Sequence, residues 1–219
     1  MIPAGAEPLL STLVGETVHE IVIKKSRFIT RLAHVSSPEE AEAVIAAVRK
    51  EHWDARHNCV ALVVGPAGEQ QRSSDDGEPS GTAGVPMLEV LRHRGMTDVV
   101  AVVTRYFGGV LLGAGGLVRA YTASVSEALD AATTVRREMR AEVTVAASHT
   151  EAGRLEHTLR EWTSIHHATF CPVVYDTGAT FTLLVPPARL TALEEVVAAA
   201  TAGAVGVEVR GWRVTDVPD

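Results

Sequence analysis

The sequence predicts an α+β protein of two consecutive domains, residues 1–134 and 135–219. Strand-like apolar runs alternate with helical stripes through the first part. The second part reads as strand, helix, two strands, helix and strand. Between a strand and a helix of the first part lies Arg105-Tyr-Phe-Gly-Gly-Val-Leu-Leu-Gly-Ala-Gly-Gly-Leu-Val-Arg-Ala-Tyr121, with five glycines in nine residues.

The tail before Leu13 is expected to be loose. Thr17 to Ile23 and Ser26 to Val35 read as strands. In the second of them Phe28, Thr30 and Leu32 share one face, while Arg27, Ile29 and Arg31 share the other. A helix opens at Ser37-Pro-Glu-Glu, capped by Ser36 or Ser37, with Ala41, Val44, Ile45 and Val48 at helical spacing. Asn58 to Gly65 is a strand, and Pro66 to Gly81 is expected to be a long polar loop. Thr82 is the expected cap of a helix through Leu88 and Leu91, with Pro86 tolerated in its first turn. Val99 to Tyr106 is a strand. After the glycines Leu117, Tyr121, Val125 and Leu129 stack at four-residue steps.

In the second part Val135 to Ala147 is a strand, and Ala152, Leu155, Leu159 and Trp162 make a helical stripe. Ala168 to Tyr175 and Ala179 to Val185 form a hairpin turning at Asp176-Thr177-Gly178. Pro187 opens a helix bearing Leu190, Leu193, Val196 and Val197, and Val205 to Val214 closes as a strand. That order is the ferredoxin-like plan.

Composition narrows the function classes. The net charge is −7, with 12 basic against 16 acidic residues in the first part and 8 against 11 in the second. Neither part is a basic nucleic-acid domain by bulk charge, so any such contact uses a local patch. Aromatic residues make up 5% of the chain, which leaves few stacking surfaces. Cys59 and Cys171 show no framework spacing and suggest a reducing compartment. Without a signal-peptide pattern or a long apolar run, the expected location is the cytoplasm, with no membrane contact.

Three segments carry candidate chemistry. The glycine stretch suits either an anion at a helix N-terminus, flanked by Arg105 and Arg119, or close packing of helix on sheet. It is neither a dinucleotide fingerprint nor a P-loop, since Val118 stands where a third glycine is needed and no Gly-Lys-Ser/Thr follows. Asp75, Asp76 and Glu78 place three carboxylates in four positions, which suits a hard cation, an acid–base pair or a structured polar loop beside a cleft. No EF-hand spacing is present, and no metal is expected. His57 and Cys59 lie two apart at a strand start; a buried, unreactive thiol is the expectation there.

Lys24-Lys-Ser-Arg-Phe28, Asp54-Ala-Arg-His-Asn-Cys59, Asp75-Asp-Gly-Glu-Pro-Ser-Gly-Thr-Ala-Gly84, Thr104-Arg-Tyr-Phe-Gly-Gly109 and Leu112-Gly-Ala-Gly-Gly-Leu-Val-Arg-Ala-Tyr121 together resemble the YigZ/IMPACT family. The resemblance covers about residues 20–130, and the rest is similar to the small C-terminal domain of bacterial members. It implies a first domain of the ribosomal-protein and GHMP-kinase βαβ type, with a left-handed crossover. It also implies a second, ferredoxin-like domain similar to one in elongation factor G. Eukaryotic members add an N-terminal RWD domain and restrain activation of an initiation-factor kinase; no residues are left for that domain here, so that partnership is not expected.

The expected function is a translation-linked regulatory or binding protein contacting RNA, the ribosome or a translation factor, more a binding protein than an enzyme. The alternative is a small enzyme or sensor that takes a phosphorylated ligand or nucleotide at the glycine loop. The candidate cleft comprises His57, Asp75, Asp76, Glu78, Ser80, Thr82, Arg105, Gly108, Gly109, Gly113, Gly115, Gly116 and Arg119, with no catalytic residue and no cofactor. Nothing points to DNA.

Overall fold

The structure, a computed structural model, describes residues 9–217. The described chain divides into two compact units, 9–137 and 138–216, so the division falls three residues beyond the expected boundary.

The first unit is built on a five-stranded antiparallel sheet. Its strands are β2 (Glu16–Ile23), β3 (Ser26–His34), β4 (His57–Val64), β5 (Gln70–Ser74) and β6 (Val99–Tyr106), in the order β2-β3-β6-β4-β5. A two-residue strand β1 (Thr12–Leu13) pairs with the start of β7 (Thr134–Ala147). Three helices cover the sheet: α1 (Pro38–Glu51), α2 (Gly84–His93) and α3 (Ala114–Ala131). β3 and β4 flank β6 and run parallel, joined by the crossover helix α1.

Both faces of the central strands are buried, which is why β4 and β6 read as continuous apolar runs rather than as alternations. On one face Phe28, Leu32, Cys59, Ala61, Ala101 and Val103 pack against α2 and α3. On the other Val60, Leu62, Val100 and Val102 pack against Ala41, Ile45 and Val48 of α1. The Ser37 side chain caps α1 by accepting from the Glu40 N–H.

In the second unit the remainder of β7 is followed by α4 (His149–Ile165), β8 (Thr169–Phe170), β9 (Val174–Tyr175), β10 (Ala179–Val185), a 3-10 turn at Pro187–Arg189, α5 (Leu190–Thr201) and β11 (Val207–Val217). β10 pairs with β7, β8 and β9, and β11 pairs with β7. This is the strand order of the ferredoxin-like plan. Leu155, Leu159, Trp162, Leu193 and Val197 bury themselves against Val143, Val145, Phe181 and Leu183.

Four expectations are corrected. The stretch before Leu13 is held by β1 and by a bridge from Ser11 to Met96, while residues 1–8 lie outside the described part. The polar stretch 66–81 contains β5, an exposed edge strand whose Gln-Gln-Arg-Ser-Ser has no core face to reveal it. The strand expected from Ala168 to Tyr175 is broken at Pro172, which has no N–H for the ladder. Thr82 does not cap α2; its hydroxyl donates to the Pro79 carbonyl at 2.6 Å.

Candidate functional site

Register places the motif residues at one end of the first sheet. Arg27 of β3 pairs with Tyr106 of β6, and Arg105 of β6 pairs with His57 of β4. β5 ends beside them, since Ser74 pairs with Val60. The Lys24-Lys25 turn, the start of β4, the end of β6 and the carboxylate loop after β5 therefore emerge together.

The three carboxylates bind the protein's own donors. Asp75 accepts from the N–H groups of Ala83 and Gly84 at 3.0 and 2.9 Å and of Gly81 at 2.8 Å, so it is the cap of α2. Burial raises its pKa, but the three N–H groups outweigh burial and hold it below the ordinary range. Asp76, at φ 42°, accepts from the Asn58 N–H at 2.7 Å and from Arg49 at 3.1 Å. Its carbonyl lies 3.0 Å from His57 Nδ1. Glu78 is buried and accepts from Arg105 at 2.7 Å and from the Tyr121 hydroxyl at 2.8 Å. Ser80 is exposed on the same loop. Among the described residues no group of three His, Cys, Asp or Glu is placed to hold a metal ion.

Cys59 lies beneath this network, its thiol 3.0 Å from the Asp75 carbonyl and 3.3 Å from Tyr121 Oη. Burial pushes its pKa up to about 12, despite the Tyr121 hydrogen bond. A thiol so protonated is no nucleophile near neutrality. Tyr121 is raised by burial and by the neighbouring Cys59 and Glu78.

Asp75→Ala leaves three N–H groups without an acceptor and is expected to cost about 2 kcal/mol. Asp75→Asn keeps an acceptor and should cost less. The carboxylate's folded pKa is depressed, so its stabilisation is complete above the ordinary aspartate value of about 3.9 and is lost as pH falls through the folded value. Denaturant midpoints of wild type and Asp75→Asn should therefore converge below about pH 4. A gap that stays constant into acid would deny the carboxylate this role.

The glycines divide by task. A Cβ at Gly108 would collide with the Lys25 carbonyl, so the loop packs main chain to main chain on the β2–β3 turn. Gly109 and Gly113 adopt φ of 82° and 73°, and Gly113 is the N-cap of α3. A Cβ at Gly116 would lie 2.9 Å from the Leu112 Cβ. Gly115 alone of the five meets neither constraint, because its nearest neighbour would be the flexible Arg119 tip at 3.8 Å. Among the described residues no side chain caps α3, unlike α1 and α2.

The two flanking arginines differ. Arg105 is buried and paired with Glu78, its guanidinium carbon 5.5 and 5.6 Å from the Phe28 and Phe107 ring centroids. Arg119 is exposed and lines a groove with Lys24, Leu112 and Gly116. Lys24, Lys25, Arg56 and Arg119 form no ion pair among the described residues. Exposed apolar side chains stand beside these cations, Phe107 at 54% and Leu111 at 82% relative exposure. Asp54, Arg56, His57, Arg105, Tyr106, Phe107 and Leu111 line a second, open cleft of about 460 Å³. Of the residues expected to line one cleft, His57 and Arg105 line this one and Gly116 and Arg119 line the groove, while Asp75, Asp76 and Glu78 line neither. Sequence reasoning missed Lys24, Asp54, Arg56 and Phe107 as site residues, although Lys24-Lys25 and Asp54-Ala-Arg56 lie within the motifs that carry the resemblance.

Comparison with known proteins places residues 24–129 under the Impact N-terminal domain. Over 143 residues, 65% of the chain, it is 54% identical to the IMPACT family member YvyE of Bacillus subtilis, of whose length 66% is spanned. Over 139 residues, 63% of the chain, it is 50% identical to the IMPACT family member YigZ of Escherichia coli, of which 68% is spanned. A crystal structure described as a hypothetical protein matches 93% of this chain and 98% of its own, at TM-score 0.60 and 36% identity. No helix among the described residues is long and apolar enough to cross a membrane.

Proposed function

The chain belongs to the IMPACT family, and from that premise we propose that its first unit is a translation-linked RNA-binding module acting in the cytoplasm. One observation carries the reading: four cations without ion pairs among the described residues, Lys24, Lys25, Arg56 and Arg119, gather at one sheet end of a chain whose net charge is −7. Elsewhere in the unit arginines are matched to carboxylates, as in Arg31 with Glu16 and Glu51, or Arg94 with Asp130, and Lys50 at the end of α1 is a further cation without an ion pair among the described residues. Unmatched cations beside exposed Phe107 and Leu111 suit a phosphate backbone and unstacked bases. The uncapped N-terminus of α3 and the unconstrained Gly115 leave room for a phosphate to approach the main chain there. The link to translation rests on the family resemblance.

The β2–β3 turn supports the same reading from energetics. Lys24 and Lys25 both adopt left-handed backbone, at φ 46° and 67°, where Asn-Gly is the favoured pair. Lysines there cost about 1 kcal/mol each. The double change Lys24→Asn with Lys25→Gly should raise stability by about 1–2 kcal/mol and weaken binding to a single-stranded RNA oligonucleotide. The salt slope of that binding should fall by up to about 1.4. Thermal melts and filter binding check both halves; a stabler turn with undiminished RNA binding would remove these lysines from the site.

Sedimentation of the native protein in lysate gradients tests the wider role. It should travel with ribosomal particles at low salt, dissociate at high salt, and shift after ribonuclease treatment. Free migration under all conditions would contradict the translation link.

A further inference from the structure

We propose that the cleft between the start of β4 and the end of β6 seats one ribonucleotide of a bound RNA chain, an inference that rests on the RNA-binding reading and names what this part of the surface recognises. The cleft measures about 460 Å³ and offers three chemistries side by side.

Cations and N–H donors come from Arg56 and Arg105. Arg56 is exposed and carries no ion pair among the described residues, so it supplies charge for a phosphate. Arg105 is neutralised by Glu78 through Nη1, yet its Nε is buried without a hydrogen-bond partner among the described residues. Its side chain is 7% exposed, and such an orphaned donor is costly unless an acceptor reaches it in a bound state. The ring against it, Phe107, is more than half exposed.

Phe107 supplies the second chemistry, a π-face for a base. It stands 5.6 Å above the guanidinium carbon, and a base entering there replaces or extends that stack.

Asp54 supplies the third. One carboxylate oxygen accepts from the Tyr106 hydroxyl at 2.9 Å, a hydroxyl that also lies 3.1 Å from His52 Nδ1. The other carboxylate oxygen has no partner among the described residues and suits a ribose hydroxyl donor. A carboxylate in a cleft meant for a bare anion would be repulsive. Beside a phosphate-binding arginine and a stacking ring it selects a hydroxylated sugar.

Titration of the full chain with 5′-AMP, 5′-dAMP and adenosine, read by NMR shifts, tests the assignment. AMP should bind about tenfold tighter than dAMP, the worth of one charge-assisted hydrogen bond. Asp54→Asn should narrow that ratio. Phe107→Ala should weaken AMP and dAMP alike by about tenfold or more. Arg56→Gln should bring AMP to the level of adenosine. Equal affinity for AMP and dAMP, or AMP binding untouched in both Asp54→Asn and Phe107→Ala, would overturn the proposal. A single-stranded RNA oligonucleotide, measured in parallel, separates the two readings. If it binds while AMP does not at millimolar concentration, the ribonucleotide pocket falls and RNA binding stands; if neither binds, both fall.

Discussion

Glu78→Ala is expected to destabilise the first unit by about 3–5 kcal/mol, the cost of stranding one partner of a buried ion pair. The side chains of Glu78 and Arg105 are 3% and 7% exposed. Arg105 would lose its Nη1 partner while its Nε already lacks one, and the Tyr121 hydroxyl would lose its acceptor as well. The charge, rather than the shape, sets the cost. Glu78→Gln with Arg105→Met removes both charges and keeps an acceptor for Tyr121, so the double variant should recover most of the loss. Denaturant unfolding of Glu78→Gln, Arg105→Met and the double variant measures this coupling directly. A double variant no more stable than Glu78→Ala would mean that packing, not the unpaired cation, dominates.

Gly108→Ala carries the second large effect, a loss of about 3 kcal/mol. The added Cβ would meet the Lys25 carbonyl and would lie 2.5 Å from the Ser26 nitrogen. Both are main-chain atoms between paired strands and cannot rotate away. The neighbouring glycines calibrate the claim. Gly109 has nothing within 4 Å but a φ of 82°, so alanine there should cost about 1 kcal/mol. Gly115 lies in the first turn of α3, where an added Cβ would make only an ordinary contact with the flexible Arg119 tip at 3.8 Å, so alanine there should be neutral or stabilising by up to about 1 kcal/mol. Thermal melts that rank the three alike would show that the loop yields, and that its contact with the β2–β3 turn is not fixed.

Periodicity and turn chemistry made most of the fold legible. Phe28, Thr30 and Leu32 point to the buried face, as their alternation implies, and Ser37 caps α1. β5 stayed hidden because an edge strand exposed on most positions has neither alternation nor apolar content. The site was legible as a set of residues but not as a set of roles. Asp75, Asp76 and Glu78 look like ligands for something external, yet each is turned inward to donors distant in sequence: the α2 amides, the Asn58 amide and Arg105. Residue type announces a carboxylate, whereas its partner is decided by which strands become neighbours. The same limit applied to the arginines flanking the glycines. Only the register of β6 with β3 and β4 separates the buried Arg105, held under Phe107, from the open Arg119.

The claim that the unmatched cations of this sheet end hold an RNA backbone is tested most directly by the salt dependence of oligonucleotide binding. Wild type and a variant with Lys24, Lys25, Arg56 and Arg119 all changed to Gln should be compared, each with its folding confirmed by thermal melting. Four lost phosphate contacts predict a slope of log affinity against log salt smaller by about 2.8, and weaker binding to every sequence alike. Equal affinities and equal slopes for the two proteins would contradict the account.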